Sequence, residues 1–148
     1  MKVAVLMGSS SDAERMRAAC EVLTRFGVEP DERVISAHRN PDEVATFARD
    51  ARDNGYAALI CGAGMAAHLA GVVAAHTTLP VVGVPLSGSA LGGVDALYST
   101  VQMPRGVPVA TVAIDGAANA AVLVVEMLAI GDAGLATKLE EFRAGGAR

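Results

Sequence analysis

Ala57-Ala58-Leu59-Ile60-Cys61-Gly62-Ala63-Gly64 lies in a segment, residues 54 to 94, that contains no Asp, Glu, Lys or Arg. The mostly apolar part of it runs from Ala57 to His76 and imitates a membrane span in a hydropathy window. Glycines at 62, 64 and 71 and His68 interrupt that stretch, and Thr77-Thr78-Leu79-Pro80 ends it before a second short apolar run, Val81 to Val84. The segment therefore reads as a buried strand, a helix and another buried strand.

The same alternation extends in both directions. Short runs rich in β-branched residues occur at Val3 to Met7, Arg33 to Ile35, Ala57 to Cys61, Val81 to Val84 and Val109 to Ile114. Most are continuously apolar, as expected of strands covered on both faces. Between them lie helical patterns at Asp12 to Phe26, ending at Gly27, and Pro41 to Asn54, ending at Gly55. Two more follow at Ala66 to Thr77 and, more weakly, Gly93 to Gln102. Glycine just past a helix is the usual left-handed cap. Alternation at this spacing predicts a parallel sheet with helices on both faces, joined by right-handed crossovers. The expected fold is α/β, a three-layer αβα sandwich whose five-stranded parallel sheet has the flavodoxin-like order 2-1-3-4-5. Ligands bind such a sheet at the carboxyl ends of the strands, where the chain reverses.

The chain has 148 residues with no composition break, so residues 1–148 read as a single domain large enough to bury a core without staples. Apolar residues make up 52% of it and charged residues 19%, with a mean hydropathy of +0.40. So little polar cover predicts that some apolar surface faces other subunits. A helix-like stretch from Ala117 to Ile130, with Glu126 as its only charge, points the same way, because the sheet covers one side of it. A net charge of −4 gives no basic stripe, and three Phe, two Tyr and no Trp leave little to stack on bases, which disfavours nucleic acid. Cys20 sits in a helical pattern and Cys61 ends a strand, as two buried free thiols of a reducing compartment would. No metal-ligand spacing is present, and MKVAVLMGSSSD does not read as a signal peptide. The expected location is the cytoplasm, without a membrane partner.

Chemistry-bearing residues gather at the strand ends. Ser36-Ala37-His38-Arg39-Asn40-Pro41 reads as strand end, polar loop and helix start, with Pro41 at the first helical position. Histidine both gives and takes a proton near neutral pH, and arginine offers a permanently charged fork to phosphate or carboxylate. Gly8-Ser9-Ser10-Ser11-Asp12 reads equally as an anion cradle or as an ordinary cap, with Ser11 or Asp12 capping the next helix. Gly62-Ala63-Gly64-Met65-Ala66-Ala67-His68-Leu69 brings backbone amides near a ligand or serves tight helix packing, with His68 one to two turns into the helix, where it reads at least as readily as a core or interface histidine as a catalytic one. His76, near that helix's far end, reads as structural. Pro85 to Leu91 is a loop able to close over a site, or simply a connection.

These pieces, taken in order with GVP at 83 to 85, GVDALYS at 93 to 99 and VQMPRGVPVATVAI at 101 to 114, resemble the PurE family of de novo purine biosynthesis. GSxSD, SAHR and QMPxG at these separations carry most of the resemblance. The GAGxAAHL loop resembles the N5-carboxyaminoimidazole ribonucleotide mutase branch. Met65 stands where that pattern usually has glycine, and Ala70 where proline commonly follows His68-Leu69. The resemblance implies transfer of a carboxylate from the exocyclic nitrogen of an aminoimidazole ribotide to the adjacent ring carbon, without ATP, biotin, metal or other cofactor. It implies a small-molecule ribonucleotide substrate and a homo-octamer. By the family motif, His38 is the expected general acid and base, and Ser9, Ser11, Asp12, Ser36 and Arg39 hold the ribotide. Within that set Arg39, Ser11 and Ser36 fall to the phosphate and Asp12 to ribose hydroxyls. Ser9 and the amides of Gly62, Ala63, Gly64, Ala66 and Ala67, with His68, fall to the carboxylate end.

Other readings remain open at this stage. The sister carboxylase would take free CO2 and aminoimidazole ribonucleotide. A flavin-binding module is disfavoured by the shortage of aromatics, and a phosphorylated receiver by the lack of paired acidic residues after the first strand. A paralogue that has lost turnover is the third alternative.

Overall fold

A computed structural model describes residues 1–147; Arg148 lies outside the described residues. Five parallel strands form one sheet, β1 (Lys2–Met7), β2 (Glu29–Val34), β3 (Tyr56–Gly64), β4 (Val81–Leu86) and β5 (Ala110–Thr111). Their order is β2-β1-β3-β4-β5, so the chain reverses between β1 and β3 as the alternation predicts. Six α-helices accompany them: α1 (Ala13–Phe26), α2 (Pro41–Asp50), α3 (Leu69–His76), α4 (Val94–Val101), α5 (Ala117–Ala129) and α6 (Ala133–Ala144).

Strand alternation explains why continuous apolar runs were needed. In β1 the side chains of Val3, Val5 and Met7 enter one core with α1, α5 and α6, while Ala4 and Leu6 enter the other with α2 and α3. Every residue from Val3 to Met7 is fully buried. At about 25 cal/mol per Å² of apolar area, double-sided burial of this kind is the main favourable contribution to the fold.

The edges of the sheet depart from expectation. β2 begins at Glu29, inside a charged stretch, rather than at Arg33: as an edge strand paired only with β1 it needs no apolar run, and none of its residues is fully buried. Its pairing runs on past Val34 through the bond from Ile35 N–H to Met7 O. β5 shrinks from the expected six residues to two, although Val112 N–H to Gly83 O and Asp115 N–H to Pro85 O prolong the contact with β4. Pro108 cannot donate to a ladder at its start.

The helices differ at their ends. α1 stops at Gly27, whose φ of 79° is the expected left-handed cap. The fourth residue of the GSSSD loop does not cap it, and neither does Asp12, which makes no side-chain capping bond. Instead Ser10–Asp12 form a 3₁₀ turn capped by Ser9, whose side chain accepts from Ser11 N–H. α3 begins at Leu69 rather than Ala66, because Met65 adopts a left-handed φ of 55°. α2 ends at Asp50 and passes through turns to Gly55, φ 81°.

α6 was not anticipated from the sequence, and it changes the reading of α5. Phe142 stacks edge-on against Phe26 at 5.5 Å, Lys138 Nζ donates to Phe26 O at 2.7 Å, and Arg143 pairs with Glu126 at 2.6 Å. α5 is thus covered by α1 and α6 as well as by the sheet, so its apolar composition is largely accounted for within one chain. Of the two thiols, Cys61 is buried as expected, whereas Cys20 is only half-buried.

Candidate active site

The loops after β1, β2 and β3 converge on a cavity of about 520 Å³ at the point of chain reversal. Ser9, Ser11, Asp12, Ser36, His38, Arg39, Ala63, Gly64, Ala66 and His68 all line it. Gly62 and Ala67 do not. A Cβ on Gly62 would come within 2.3 Å of Met16 Sδ, so its missing side chain serves packing against α1, and Ala67 is buried.

Each wall follows from local structure. Ser9 Oγ accepts from Ser11 N–H at 3.3 Å and from Ser11 Oγ–H at 2.9 Å, which turns the hydroxyls toward one another at the mouth of α1. Ser36 is buried, and its Oγ accepts from Arg39 N–H at 3.3 Å while its carbonyl accepts from Asn40 N–H at 2.8 Å. This small turn lifts His38 and Arg39 out of the strand and ends at Pro41, the first residue of α2. Burial raises the pKa of Asp12, and the guanidinium of Arg15, a backbone bond at Ser9 and the guanidinium of Arg39 act against that rise.

The two histidines meet. His38 Nε2 lies 2.7 Å from His68 Nδ1, with the rings 4.8 Å apart and tilted by 76°. His68 is not inside the helix, as the sequence pattern implied, but at the N-cap position of α3, where its side chain leans back over the cavity. A bond between two ring nitrogens needs one donor and one acceptor, so each ring dictates the tautomer of the other.

Met65 gives a physical reason for the glycine common at this position of the motif. Its φ of 55° is a conformation that costs a side-chain-bearing residue roughly 1–2 kcal/mol and glycine nothing. The side chain is 64% exposed and lies on the cavity rim, so it narrows the mouth without filling the floor. Ala70 is buried in the first turn of α3, a place where proline would also fit.

Sequence reasoning missed Arg15 and reached Gly88 only as part of a loop able to close over a site; both line the cavity. Arg15 stands three residues after Asp12 in the first turn of α1, a spacing that puts both on one face. The loop after β4 is tied down rather than free: Asp115 accepts from Ser87 N–H at 3.0 Å and from the Ser87 hydroxyl, and Asp95 accepts from Ser89 Oγ–H at 2.8 Å. No cluster of three His, Cys, Asp or Glu able to hold a metal exists among the described residues.

The sequence profile of the AIR carboxylase family matches residues 2–148. The chain belongs to the AIR carboxylase family. It is 51% identical over 144 residues to the N5-carboxyaminoimidazole ribonucleotide mutase of Escherichia coli K12, covering 96% of this chain and 85% of that protein. It is 52% identical over 141 residues to the mutase of the same name from Saccharolobus solfataricus, covering 95% and 89%. The phosphoribosylaminoimidazole carboxylase of Saccharomyces cerevisiae is 54% identical over 140 residues; the chain spans only 24% of that longer protein. Among solved structures, Treponema denticola PurE superposes with a TM-score of 0.89 at 27% identity, covering 99% of this chain and 91% of that one. The sheet order and helix placement are therefore those of an AIR carboxylase family domain.

Proposed function

We propose that this chain is an N5-carboxyaminoimidazole ribonucleotide mutase, an isomerase acting in purine biosynthesis. The observation that carries the reading is the His38–His68 pair set in a cavity beside Ser9, Ser11, Ser36 and Arg39. Names of relatives about half identical over nearly the whole chain support it.

The chemistry follows from the residues. Cleavage of the carbamate C–N bond releases CO2 and leaves electron density on the exocyclic nitrogen, which takes a proton. The adjacent ring carbon then attacks CO2, forming the new C–C bond, and loses its own proton. One proton goes in and one comes out, so a single group serves both steps. His38 fits that duty. With Nε2–H donated to His68 Nδ1, the other nitrogen, Nδ1, faces substrate: it delivers a proton from imidazolium and recovers one as the neutral ring. His68 accepts from Nε2 in both states and so acts as a positioning residue.

Arg39, Ser11 and the Ser36 turn take the phosphate, since a fixed guanidinium and hydroxyl donors suit its oxygens. Asp12, whose charge repels phosphate, takes ribose hydroxyls. Ser9 and the amides around Gly64 and Ala66 face the carboxylate, where oriented donors stabilise developing negative charge. Exclusion of water keeps CO2 in place. No cofactor enters this scheme. The whole chain acts as one catalytic domain in a cytoplasmic homo-octamer. Leu91, Val94, Tyr98 and Val101, exposed on and just before α4, supply apolar surface for assembly.

The test is turnover of N5-carboxyaminoimidazole ribonucleotide without added bicarbonate, comparing wild type with His38→Asn. Ring-carboxylated product from wild type and none from the variant is the expected result. The match to the yeast carboxylase favours one second reading, carboxylation of aminoimidazole ribonucleotide by free CO2. Product formed only from bicarbonate and that nucleotide would select it, and failure of both assays with folded protein would refute turnover altogether.

A further inference from the structure

Three residues of charged type line the cavity: Asp12, Arg15 and Arg39. They occupy different positions along the sheet. Arg39 follows edge strand β2, whereas Arg15 leans from α1 toward the opposite side. There its Nε lies 3.8 Å from Asp115 Oδ1, beyond β5, and its guanidinium atoms stand 3.8–4.0 Å from where a Cβ on Gly88, beyond β4, would be. Neighbouring strands are spaced about 4.8 Å apart, so three spacings from β2 to β4 separate the two ends by roughly 14 Å.

A carboxylated ribonucleotide has anionic groups at both ends, a phosphate and a carboxylate. Arg39 and Asp12 together carry no net charge, so among the described residues Arg15 is the one further permanently charged cation that the cavity offers to a ligand with two anionic groups. Arg15 is also held by charge alone: its guanidinium acts on the Asp12 carboxyl against the effect of burial, and among the described residues no hydrogen bond fixes it. Its contact with Asp115 is longer than a hydrogen bond, both side chains are more than a third exposed, and both carboxylate oxygens of Asp115 already accept from Ser87. Its guanidinium is free to turn into the cavity over the bare backbone at Gly88.

We propose that Arg15 is a specificity-determining residue that binds the carboxylate end of the ligand, at the opposite end of the cavity from Arg39, with Asp115 as its resting counter-charge. This rests on the ribonucleotide reading above and adds to it a residue on α1 that distinguishes carboxylated from uncarboxylated ligand. Charge-assisted bonds are the strong ones among polar contacts, so their loss costs on the order of tenfold in affinity or more.

The experiment is calorimetric titration of wild type, Arg15→Gln and Arg15→Lys with two ligands: aminoimidazole ribonucleotide, and its ring-carboxylated derivative. Expected for Arg15→Gln is a loss of about tenfold or more for the carboxylated ligand, with the uncarboxylated one changed by less than about twofold, and partial recovery in Arg15→Lys. Equal weakening of both ligands, which would place Arg15 at the phosphate or in the scaffold, overturns the proposal, and so does no change in either. Asp115→Asn is an independent arm. Asparagine tolerates the left-handed φ of 57° at 115 and keeps an acceptor for Ser87 N–H while removing the competing charge. The carboxylated ligand should then bind more tightly and the other unchanged, and unaltered or weaker binding of the carboxylated ligand counts against the proposal. If wild type binds neither ligand, the ribonucleotide reading falls and takes this inference with it. If wild type binds both and Arg15→Gln does not discriminate between them, only the role of Arg15 falls.

Discussion

Replacing His68 by Asn separates a histidine that moves protons from one that positions the group that does. The His38 Nε2 to His68 Nδ1 contact, 2.7 Å long and exposed, is a single hydrogen bond between neutral-capable rings. Such a bond contributes about 0.5–1.5 kcal/mol net, and each 1.36 kcal/mol is a factor of ten in rate. His68→Asn should therefore lower kcat by roughly two- to tenfold. Removing the general acid–base itself costs about 10²- to 10⁴-fold, the fall expected for His38→Asn. The double variant completes a cycle: if His68 acts only through His38, adding His68→Asn to His38→Asn changes kcat by less than about twofold. The assay is steady-state conversion of N5-carboxyaminoimidazole ribonucleotide, with ligand affinity measured separately so that a binding defect is not counted as a chemical one. A His68→Asn loss as large as that of His38→Asn, or a further large fall in the double variant, would refute the one-histidine scheme and make both rings proton carriers.

Three further outcomes follow from packing and charge. Gly83→Ala should lower stability by roughly 1–3 kcal/mol, because its Cβ would fall 2.4 Å from Thr100 Cγ2 and 2.9 Å from Val109 Cγ1, both on stiff branched side chains; thermal unfolding should drop by several degrees, and an unchanged midpoint would contradict this geometry. Burial acts to raise the pKa of Asp31, but bonds from Tyr56 and Arg33 outweigh it and leave the carboxyl below its ordinary value of 3.8. The stability from that shift is present above pH 3.8 and lost as pH falls through the folded value, so Tyr56→Phe should flatten the acid limb of a denaturation-versus-pH curve. Burial and the Glu32 carboxylate push the Cys20 thiol up to about 11 from 9.0, so alkylation at pH 8 should run about a hundredfold slower than for an unshifted thiol, with Glu32→Gln recovering part of the rate.

How much of the fold could be read from the sequence depended on whether the cause was local. Val3 to Met7 and Ala57 to Cys61 were legible as double-covered strands because both faces had to be apolar, and they are buried along most of their length. Glu29 to Glu32 was not, since an edge strand with charged side chains carries no apolar run and is specified by its partner β1. The α3 start was misjudged by three residues because Met65, a residue that does not announce a left-handed turn as glycine would, takes one. α6 escaped notice because it buries little more than Leu135, and its docking depends on Phe26, Lys138 and Glu126, far apart in the chain.

The same division runs through the site. Ser9, Ser11, Asp12, Ser36, His38 and Arg39 each sit in a short loop at the end of β1 or β2, so strand-end position alone was enough to place them in one cavity. Gly62 reads in sequence either as an amide near a ligand or as a residue for tight packing, and the partner that a Cβ would meet, Met16 on α1, is evident only in the fold; Gly62 itself does not line the cavity. Arg15 is the converse case. In sequence it is one of several charges on an amphipathic helix, and nothing local separates it from Arg17 or Arg25. Its distinction arises only when the order 2-1-3-4-5 brings the loops after β4 and β5 alongside the start of α1 and sets Gly88 and Asp115 against its guanidinium. Sequence could therefore locate the end of the cavity nearest the β2 loop, where the ligand-facing groups lie within a few residues of one another. The far end is built from α1 and the β4 loop, with Asp115, in the turn before α5, set against Arg15; these segments lie far apart in the chain, and only the folded chain brings them together.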